Sequence, residues 1–305
     1  MAVQKSFLIQ KFAKLKLGSI HVIGYSVAGE ETVIQIPEMD VCFDIGRAPY
    51  FSLASNIVCL SHGHMDHVAG LAYYLSQRCF QGMKGGTILL PAELHEPVDS
   101  MLKCWRQVER QGTPYTLVPM RAGEDYAVRK DFVIRAVETH HGGSSLGYCL
   151  INVREKLKQE YLGLPGPEIA ALRKQGVEIQ YRLEVPQVAF LGDTTDGRVF
   201  QHPDVQNAEI LLTECTFFEP SHKQRARIGK HLHVDHLIKI LPDLKNKWIV
   251  VTHVSRRTGI RKARGILRKR VGTDAMERIL FLMDFEDSRP AGEIEDAGPP
   301  PLDPA

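Results

Sequence analysis

The sequence has few of the features that mark a membrane or secreted protein. Its 305 residues contain no uninterrupted apolar run of the roughly 18 residues that a membrane helix needs, so we expect no membrane-spanning helix. The N-terminal segment, residues 1–17, mixes Lys with apolar residues without a continuous apolar core, so we expect no secretory signal and keep a weak amphipathic transit peptide as the less favoured alternative. None of the six cysteines belongs to a Cys-x-x-Cys pair, and most lie in apolar runs, so we expect buried free thiols and a cytoplasmic location.

An excess of charge of one sign is also absent. The 38 basic and 36 acidic residues give a formal net charge of +2, which by itself does not indicate a nucleic-acid partner. The distribution is uneven, because residues 286–305 form an acidic, proline-rich tail that we expect to be disordered. Two other segments are basic and predict either solvated faces or phosphate-binding surfaces with marked salt dependence. They contain Arg154, Lys156, Lys158, Arg173 and Lys174, and Arg256, Arg257, Arg261, Lys262, Arg264, Arg268, Lys269 and Arg270.

Apolar runs and helical spacing alternate along the chain, which predicts an α/β scaffold of stacked layers. Predicted strands cover residues 19–27, 32–36, 41–45, 56–60, 87–90, 116–118, 126–129, 132–138, 148–153, 187–191, 210–213, 248–252 and 278–283. Predicted helices cover residues 70–78, 91–110, 168–174, 233–241 and 258–269. The polar segment 154–184, with Gly163-Leu164-Pro165-Gly166-Pro167 in its middle, interrupts this pattern and is predicted to be an excursion from the main body.

A cluster of histidines with an aspartate follows the predicted strand 56–60. His62, His64, Asp66 and His67 place four ligand-type side chains within six residues, which one face of one helix cannot present. A tight loop after a strand can wrap them around a centre, and imidazole and carboxylate groups are ligands of Zn²⁺, Mn²⁺ and Fe²⁺. Chance assembly of His-x-His-x-Asp-His is improbable, so the loop predicts a metal site that suits two ions.

Three other predicted strands also end in potential metal ligands. His140 and His141, then Asp193, and finally His253 each follow an apolar strand closely. A lone histidine after a strand is more often a capping or surface residue, but functional residues at several strand ends indicate one shared site on a layered scaffold. Together with the loop, these residues predict a binuclear centre in which the Asp193 carboxylate is suited to bridge both ions.

Further motifs complete a pattern that resembles a known family. They are Ser61-His62-Gly63-His64-Met65-Asp66-His67 followed by Gly70-Leu71, His141 followed by Gly147-Tyr148, Gly192-Asp193-Thr194, Glu214-Cys215-Thr216-Phe217, and His253 followed by Ser255 and Arg257. From about Gly18 to about Phe285 the sequence resembles the ribonuclease Z family of tRNA 3′-processing endonucleases, in its short, plant-type branch, within the metallo-β-lactamase superfamily. The Gly-Leu-Pro-Gly-Pro segment resembles the protruding arm that grips the tRNA elbow in this family.

The resemblance implies a fold and a set of metal ligands. The fold is a four-layer αββα metallo-β-lactamase sandwich over residues 1–285, with the inserted arm at about residues 154–185. Each subunit is expected to hold two Zn²⁺ ions, with Mn²⁺ or Fe²⁺ as alternatives. One ion takes His62, His64 and His141, the other takes Asp66, His67 and His253, and Asp193 bridges them. The spacing to Gly147-Tyr148 selects His141 over His140.

The resemblance also implies catalytic and RNA-binding residues. The catalytic residues are Asp66, Glu214 and a histidine near the leaving oxygen that Glu214 positions. His231 and His233 are both candidates for that histidine, and the spacing back from His253 favours His231. His236 is interpreted as a helix-surface residue. The implied RNA contacts are Gly163, Pro165, Gly166, Pro167, Lys156, Lys158 and Arg257.

The preferred function is removal of the 3′ trailer from precursor tRNA after the discriminator nucleotide, by a homodimer. One alternative is a hydrolase of the same fold that acts on small phosphodiesters or other esters, and another is a non-catalytic RNA-binding protein. The sequence departs from the bacterial pattern at two places. Residues 28–32 replace a Pro/Lys/Arg/Asn motif, which affects how the CCA end is recognised, and Ser-Thr does not follow His231.

Overall fold

The computed structural model describes residues 11–287 and residue 289, so most of the predicted acidic tail lies outside the described residues. The strands are β1 Ala13–Leu17, β2 Ile20–Val27, β3 Glu31–Ile36, β4 Val41–Phe43, β5 Ile57–Cys59, β6 Gly86–Pro91, β7 Tyr115–Met120, β8 Asp125–Arg129, β9 Phe132–Glu138, β10 Leu146–Leu157, β11 Gln180–Phe190, β12 Ile210–Glu214, β13 Trp248–Thr252 and β14 Ile279–Phe281. The helices are α1 Met65–Val68, α2 Leu71–Phe80, α3 His95–Glu109, α4 Gly166–Lys174, α5 Pro203–Asn207, α6 Lys223–Gly229, α7 Val234–Ile240 and α8 Ile260–Met276.

The strands form two seven-stranded sheets. The first has the order β1 to β7, and the second has the order β14-β13-β12-β11-β10-β9-β8. In chain order, the early strands of each sheet pair antiparallel and the later strands pair parallel. The parallel strands are β4 to β7 in the first sheet and β11 to β14 in the second. Parallel strands point their carboxyl ends to the same edge, so loops that follow these strands can meet in one place.

Three apolar clusters divide the molecule into four layers. The central cluster packs the inner faces of both sheets together, with the rings of Phe43 and Phe190 stacked at 4.7 Å between centroids. A second cluster packs α7 and α8 against the second sheet, and a third packs α2 and α3 against the first sheet. Burial of apolar side chains on both faces of each sheet explains the short, continuous apolar runs in the sequence. The predicted four-layer αββα arrangement is confirmed.

Strands β10 and β11 extend beyond their neighbours in the sheet. β9 pairs with β10 only as far as Asn152, and β12 pairs with β11 only from Val188, so the outer parts of β10 and β11 pair with each other alone. This two-stranded ribbon carries the predicted short helix α4 and occupies the segment that the sequence predicts as an arm. The predicted strands 148–153 and 187–191 were too short, because water on both faces of the ribbon removes the apolar alternation.

Four elements were missed by the sequence analysis. One is α1, a single turn of helix in the segment that was predicted as a loop. β1 alternates buried and exposed positions, but its two lysines obscured the pattern. α5 and α6 are short and bury only Val205 and Ala226, respectively, so neither shows a sustained apolar stripe. Within the described part of the chain, no helix has both the length and the apolarity to cross a membrane.

Candidate metal centre

The predicted ligands come from loops at the carboxyl ends of four strands. His62 and His64 lie directly after β5, and His64 is the extended residue that precedes α1, the short helix that presents Asp66 and His67. His141 follows β9, Asp193 follows β11 and His253 follows β13. The turn into α1 changes the backbone from extended to helical within one residue, which lets adjacent side chains face a common point. The structure therefore gathers all seven predicted ligands at one edge of the two sheets.

The ligand atoms form two adjacent groups that share a carboxylate neighbour. His62, His64, His141 and Asp193 form one group, and Asp66, His67 and His253 form the other, with the atoms of each group within 4.8 Å of one another. Oδ2 of Asp193 lies 3.8 Å from Nε2 of His62 and of His141, and 3.4 Å from Nε2 of His67. Asp193 thus lies between the two groups of imidazoles.

Hydrogen bonds from outside the groups decide which imidazole nitrogen faces the centre. Nδ1 of His67 lies 2.6 Å from the carboxylate of Asp44, and Nδ1 of His141 lies 3.1 Å from the carbonyl oxygen of Lys230. The Ser61 hydroxyl donates to Asp44, so it accepts from Nδ1 of His62 at 2.9 Å. In the neutral form of each ring, Nδ1 therefore carries the proton and Nε2 faces the centre, where Nε2 of His141 also lies 3.2 Å from Nδ1 of His64.

The lone pairs of these Nε2 atoms fit a metal ion. Nε2 of His62 and Nε2 of His67 are buried without a hydrogen-bond partner among the described residues. A buried acceptor without a partner costs free energy. Several buried acceptor nitrogens around one point are stabilised when their lone pairs bind one cation. Burial, followed by the charges of neighbouring histidines, lowers the pKa of His62 to about 2, so this imidazole is neutral as a ligand requires. Imidazoles with carboxylates suit Zn²⁺, Mn²⁺ or Fe²⁺.

Asp44 is a functional residue that the sequence analysis missed. Its fully buried carboxylate accepts hydrogen bonds from the Ser61 N–H and hydroxyl and from His67, so it orients ligands of both groups. Its φ of 51° is left-handed, a conformation that aspartate tolerates better than most residues. In the sequence, the only indication of this role was the position of Asp44 directly after β4. Its hydrogen-bond partners Ser61 and His67 lie 17 and 23 residues away, so no local pattern connects them.

Two left-handed backbone conformations shape the loops that carry the ligands. Gly192, which precedes Asp193, has a φ of 57°, and a Cβ at this position would lie 2.6 Å from Cβ of Ser61. Glycine is therefore required where the Asp193 loop crosses the histidine loop. His253 also has a left-handed φ, of 55°, without being glycine. Such backbone strain persists only where surrounding contacts hold it, as they do at this site.

His231 forms a further group of possible ligand atoms with Asp193 and His253, and Glu214 lies next to it. Nδ1 of His231 is 2.9 Å from Oε1 of Glu214 and 4.0 Å from Oδ2 of Asp193. Glu214 is fully buried, and it also accepts hydrogen bonds from the Thr194 N–H, the Leu232 N–H and the Thr216 hydroxyl. Burial opposes protonation of His231, but the charge and hydrogen bond of Glu214 outweigh it and raise the pKa of His231 to about 9.

Thr216 connects this pair to the metal ligands. Its hydroxyl donates to Oε2 of Glu214 at 2.5 Å and lies 3.0 Å from Nδ1 of His253. Because the hydroxyl proton points to Glu214, the oxygen accepts from Nδ1 of His253, and Nε2 of that histidine faces Oδ2 of Asp66 at 3.5 Å. The sequence analysis noted Thr216 only as part of a motif, since its contacts span 37 residues.

The other candidate histidines lie away from the centre. Nε2 of His233 donates to the carbonyl oxygen of Glu219, and its Nδ1 accepts the Asp235 N–H at the start of α7. His233 therefore caps a helix, and the structure brings His231 to the site instead. His236 is half-buried on α7, and His140 is exposed. Neither of them belongs to a ligand group among the described residues.

The predicted RNA contacts are also outside the ligand groups. Lys156 is exposed on the ribbon, and Lys158 pairs with Glu178 at 3.1 Å. Arg257 is exposed near the start of α8. The remaining predicted contacts are exposed at the beginning of α4, and they are Gly163, Pro165, Gly166 and Pro167.

Comparison with known proteins first defines the class. Residues 52–254 match the family described as the beta-lactamase superfamily domain. The structure is similar to the short form of human tRNase Z, with a TM-score of 0.54 and 16% sequence identity over 77% of this chain and 92% of that one. The paired sheets and the ligand groups thus define a beta-lactamase superfamily protein with residues suited to hold metal.

Sequence relatives then define the family. The chain is 34% identical to tRNase Z TRZ1 of Arabidopsis thaliana over 257 residues, which are 83% of this chain and 92% of the relative. It is 33% identical to the chloroplastic tRNase Z TRZ2 of the same organism over 84% of this chain and 73% of the relative. The chain belongs to the tRNase Z family of the beta-lactamase superfamily, and the predicted family membership is confirmed.

Proposed function

We propose that this protein is a metal-dependent endoribonuclease that hydrolyses precursor tRNA after the discriminator nucleotide and so removes the 3′ trailer. The observation that carries the proposal is the pair of ligand groups around Asp193, with His231 and Glu214 beside them. Membership in the tRNase Z family supplies the RNA substrate. A histidine held by a buried glutamate next to a binuclear site suits hydrolysis of a phosphodiester.

The ligand residues would hold two Zn²⁺ ions, which is the metal that we propose. His62, His64 and His141 would hold one ion, Asp66, His67 and His253 the other, and Asp193 both. When bound, such a pair makes water a stronger nucleophile and neutralises charge on a phosphodiester. The chain contributes the orientation, because Asp44 and Ser61 hold His62 and His67 with Nε2 toward the centre.

His231 is proposed to protonate the leaving oxygen. Water would add its oxygen to phosphorus and release a proton to the solvent as the bond from phosphorus to the discriminator O3′ breaks. This oxygen would take a proton from His231 to leave as a hydroxyl, and His231 would regain a proton from the solvent. Glu214 accepts the Nδ1–H of His231, which fixes the ring and keeps a second proton on Nε2. Asp66 is proposed as a catalytic residue through its place in the second ligand group.

The direct test is cleavage of an end-labelled precursor tRNA with a 3′ trailer, with Zn²⁺ or Mn²⁺ supplied and the product ends mapped at nucleotide resolution. We expect one cut after the discriminator nucleotide and loss of the cut after chelation. A metal-loaded protein that leaves this RNA intact but hydrolyses bis(p-nitrophenyl) phosphate would instead be a small-phosphodiester hydrolase.

We propose that the ribbon and α4 bind the tRNA away from the cleavage site. Replacement of residues 158–179 with a two-residue Asn-Gly turn should lower kcat/KM for precursor tRNA by about tenfold to a hundredfold, because phosphate contacts are lost. Hydrolysis of bis(p-nitrophenyl) phosphate should change by less than about twofold, since that substrate needs no remote binding. Steady-state kinetics on both substrates measure the difference.

Two paired lysine variants sharpen this prediction. Lys156→Ala with Lys158→Ala should raise KM for precursor tRNA and reduce its salt dependence. Lys14→Ala with Lys16→Ala, which changes two exposed lysines on β1, is the matched control and should leave both quantities unchanged. Equal changes in KM and in its salt dependence for the two double variants would show that the lysines of the ribbon do not bind the tRNA more than other surface lysines do.

We propose that two copies associate through α2 and α3. These adjacent helices, joined by a hydrogen bond from Ser76 to Glu109, expose large apolar side chains that are set at helical spacing. They are Tyr73, Phe80, Met101, Trp105 and Val108. Trp105→Asp should convert a dimer into a monomer without unfolding it, as measured by light scattering and circular dichroism. A dimer of unchanged stability in this variant would contradict the proposed surface.

The cytoplasmic location stays a prediction. All six cysteines are unpaired, and four of them are buried. Burial raises the pKa of the Cys59 and Cys215 thiols well above their usual value, so these groups stay protonated and unreactive. Unpaired, buried thiols are typical of a reducing compartment.

A further inference from the structure

The turn between β2 and β3 contacts the metal centre from outside the histidine loop. The N–H of Gly29 donates a hydrogen bond of 2.9 Å to Oδ2 of Asp66, which lies 37 residues away in the sequence. The same carboxylate oxygen is 3.5 Å from Nε2 of His253 and 3.7 Å from Nε2 of His67. A backbone amide of this turn therefore orients one residue of the second ligand group.

The same hairpin also holds the segment that carries His253. The His253 N–H donates to Oγ of Ser26 at 2.9 Å, and Val27 forms an isolated parallel bridge with Val254. These contacts account for the left-handed backbone of His253, which needs support from its surroundings. The hairpin of β2 and β3 therefore contacts two predicted ligands, Asp66 and His253, that are 187 residues apart in the sequence.

An ion pair connects the turn between β2 and β3 to the segment that follows His253. The Glu30 carboxylate accepts hydrogen bonds from Nε and Nη2 of Arg256, the latter at 2.8 Å, and from the Tyr25 hydroxyl at 3.1 Å. Glu30 directly follows Gly29, and Arg256 lies three residues after His253. The pair therefore ties the turn that orients Asp66 to the segment that carries His253.

The geometry of the pair suits orientation more than stability. The Arg256 side chain is 70% exposed, and ion pairs at such exposure contribute little to the free energy of folding. A carboxylate that accepts two guanidinium hydrogen bonds is nevertheless restricted in direction. Loss of the pair should therefore change the position of the Gly29 amide more than the stability of the fold.

We propose that Glu30 and Arg256 are positioning residues for the second metal position, formed by Asp66, His67 and His253. Their ion pair keeps the Gly29 N–H on Asp66 and holds Asp66 and His253 at a separation that one ion can span. The proposal rests on the metal centre of the proposed function but not on its RNA substrate, so metal binding alone tests it.

The test is a titration of the full-length, metal-free protein with Zn²⁺ in competition with a chromophoric chelator. Glu30→Gln and Arg256→Gln should each bind one of two Zn²⁺ equivalents about threefold to tenfold more weakly, less than the tenfold to hundredfold typical of direct partners of ligands. The double variant should match the single ones, because the two residues act as a unit. The other equivalent should bind as in the wild type.

A reversed pair and a matched control make the test specific. Glu30→Arg with Arg256→Glu should recover part of the lost affinity. Arg261→Gln and Glu286→Gln remove another exposed pair of the same kind at α8 and should leave both Zn²⁺ affinities unchanged. Wild-type affinity for both equivalents in Glu30→Gln and Arg256→Gln would overturn the proposal. Equal weakening of both equivalents with a lower melting temperature would also overturn it, because it indicates a general role in stability.

Failure of this proposal is separable from failure of the proposed function. If the Arg256→Gln variant keeps its metal affinity but shows a raised KM for precursor tRNA, Arg256 contacts the substrate and the positioning role is wrong. If metal affinity falls as expected but the wild-type protein cleaves no RNA, the positioning role stands and the substrate is wrong.

Discussion

Asp193→Ala is expected to lower the rate of precursor tRNA cleavage by at least about a thousandfold and to release metal from the protein. Substitution of a residue that only touches a ligand costs about tenfold to a hundredfold in affinity or activity, and a residue whose carboxylate contacts imidazoles of both ligand groups should cost more. Oδ2 of Asp193 is within 3.8 Å of imidazole nitrogens from both groups. Single-turnover cleavage and elemental analysis of the purified variant measure the two effects.

Asp196→Ala is the matched control for this variant. Asp196 lies in the same loop but is exposed and belongs to neither ligand group, so we expect nearly wild-type cleavage and metal content. Asp193→Ala would contradict the assignment if it kept two metal equivalents and cleaved RNA within about tenfold of the wild type. In that case the bridging position would have to be filled by another group.

His231→Ala is expected to lower kcat for precursor tRNA by about a hundredfold to ten-thousandfold while metal content is retained. The leaving alkoxide of a ribose is a strong base and needs a proton, whereas p-nitrophenolate leaves without one. Hydrolysis of bis(p-nitrophenyl) phosphate should therefore fall much less than RNA cleavage in the same variant. The ratio of the two effects separates proton donation from a loss of structure.

The control for His231 is the other histidine of the same motif. His233→Asn keeps a side chain that favours the start of a helix, so α7 should persist and kcat should stay within a few-fold of the wild type. If His233→Asn abolished cleavage and His231→Ala did not, the acid would be His233 despite its hydrogen bond to Glu219. Equal losses on both substrates in His231→Ala would indicate that His231 supports the metal ligands instead.

Much of the scaffold could be predicted from the order of residues. β9 and β13 match their predicted bounds, because β13 is a short apolar run and β9 is apolar except for Arg135 and Glu138. The ribbon of β10 and β11 could not be predicted to full length, since its stability comes from pairing across 22 or more residues rather than from a local pattern. α6 was missed because it buries only Ala226, so its sequence shows no apolar periodicity that would predict a helix.

The sequence by itself predicted most of the candidate metal ligands, because each of them follows an apolar strand or lies in one compact loop. The sequence alone did not decide whether His140 or His141 is the ligand, or whether His231 or His233 is the acid. The family pattern favoured His141 and His231. The tertiary structure decided these pairs through hydrogen bonds that place one ring of each pair in the centre. It alone revealed Asp44, Thr216 and the Gly29 amide, because the direction of a side chain or an N–H depends on contacts between segments that no local sequence pattern records.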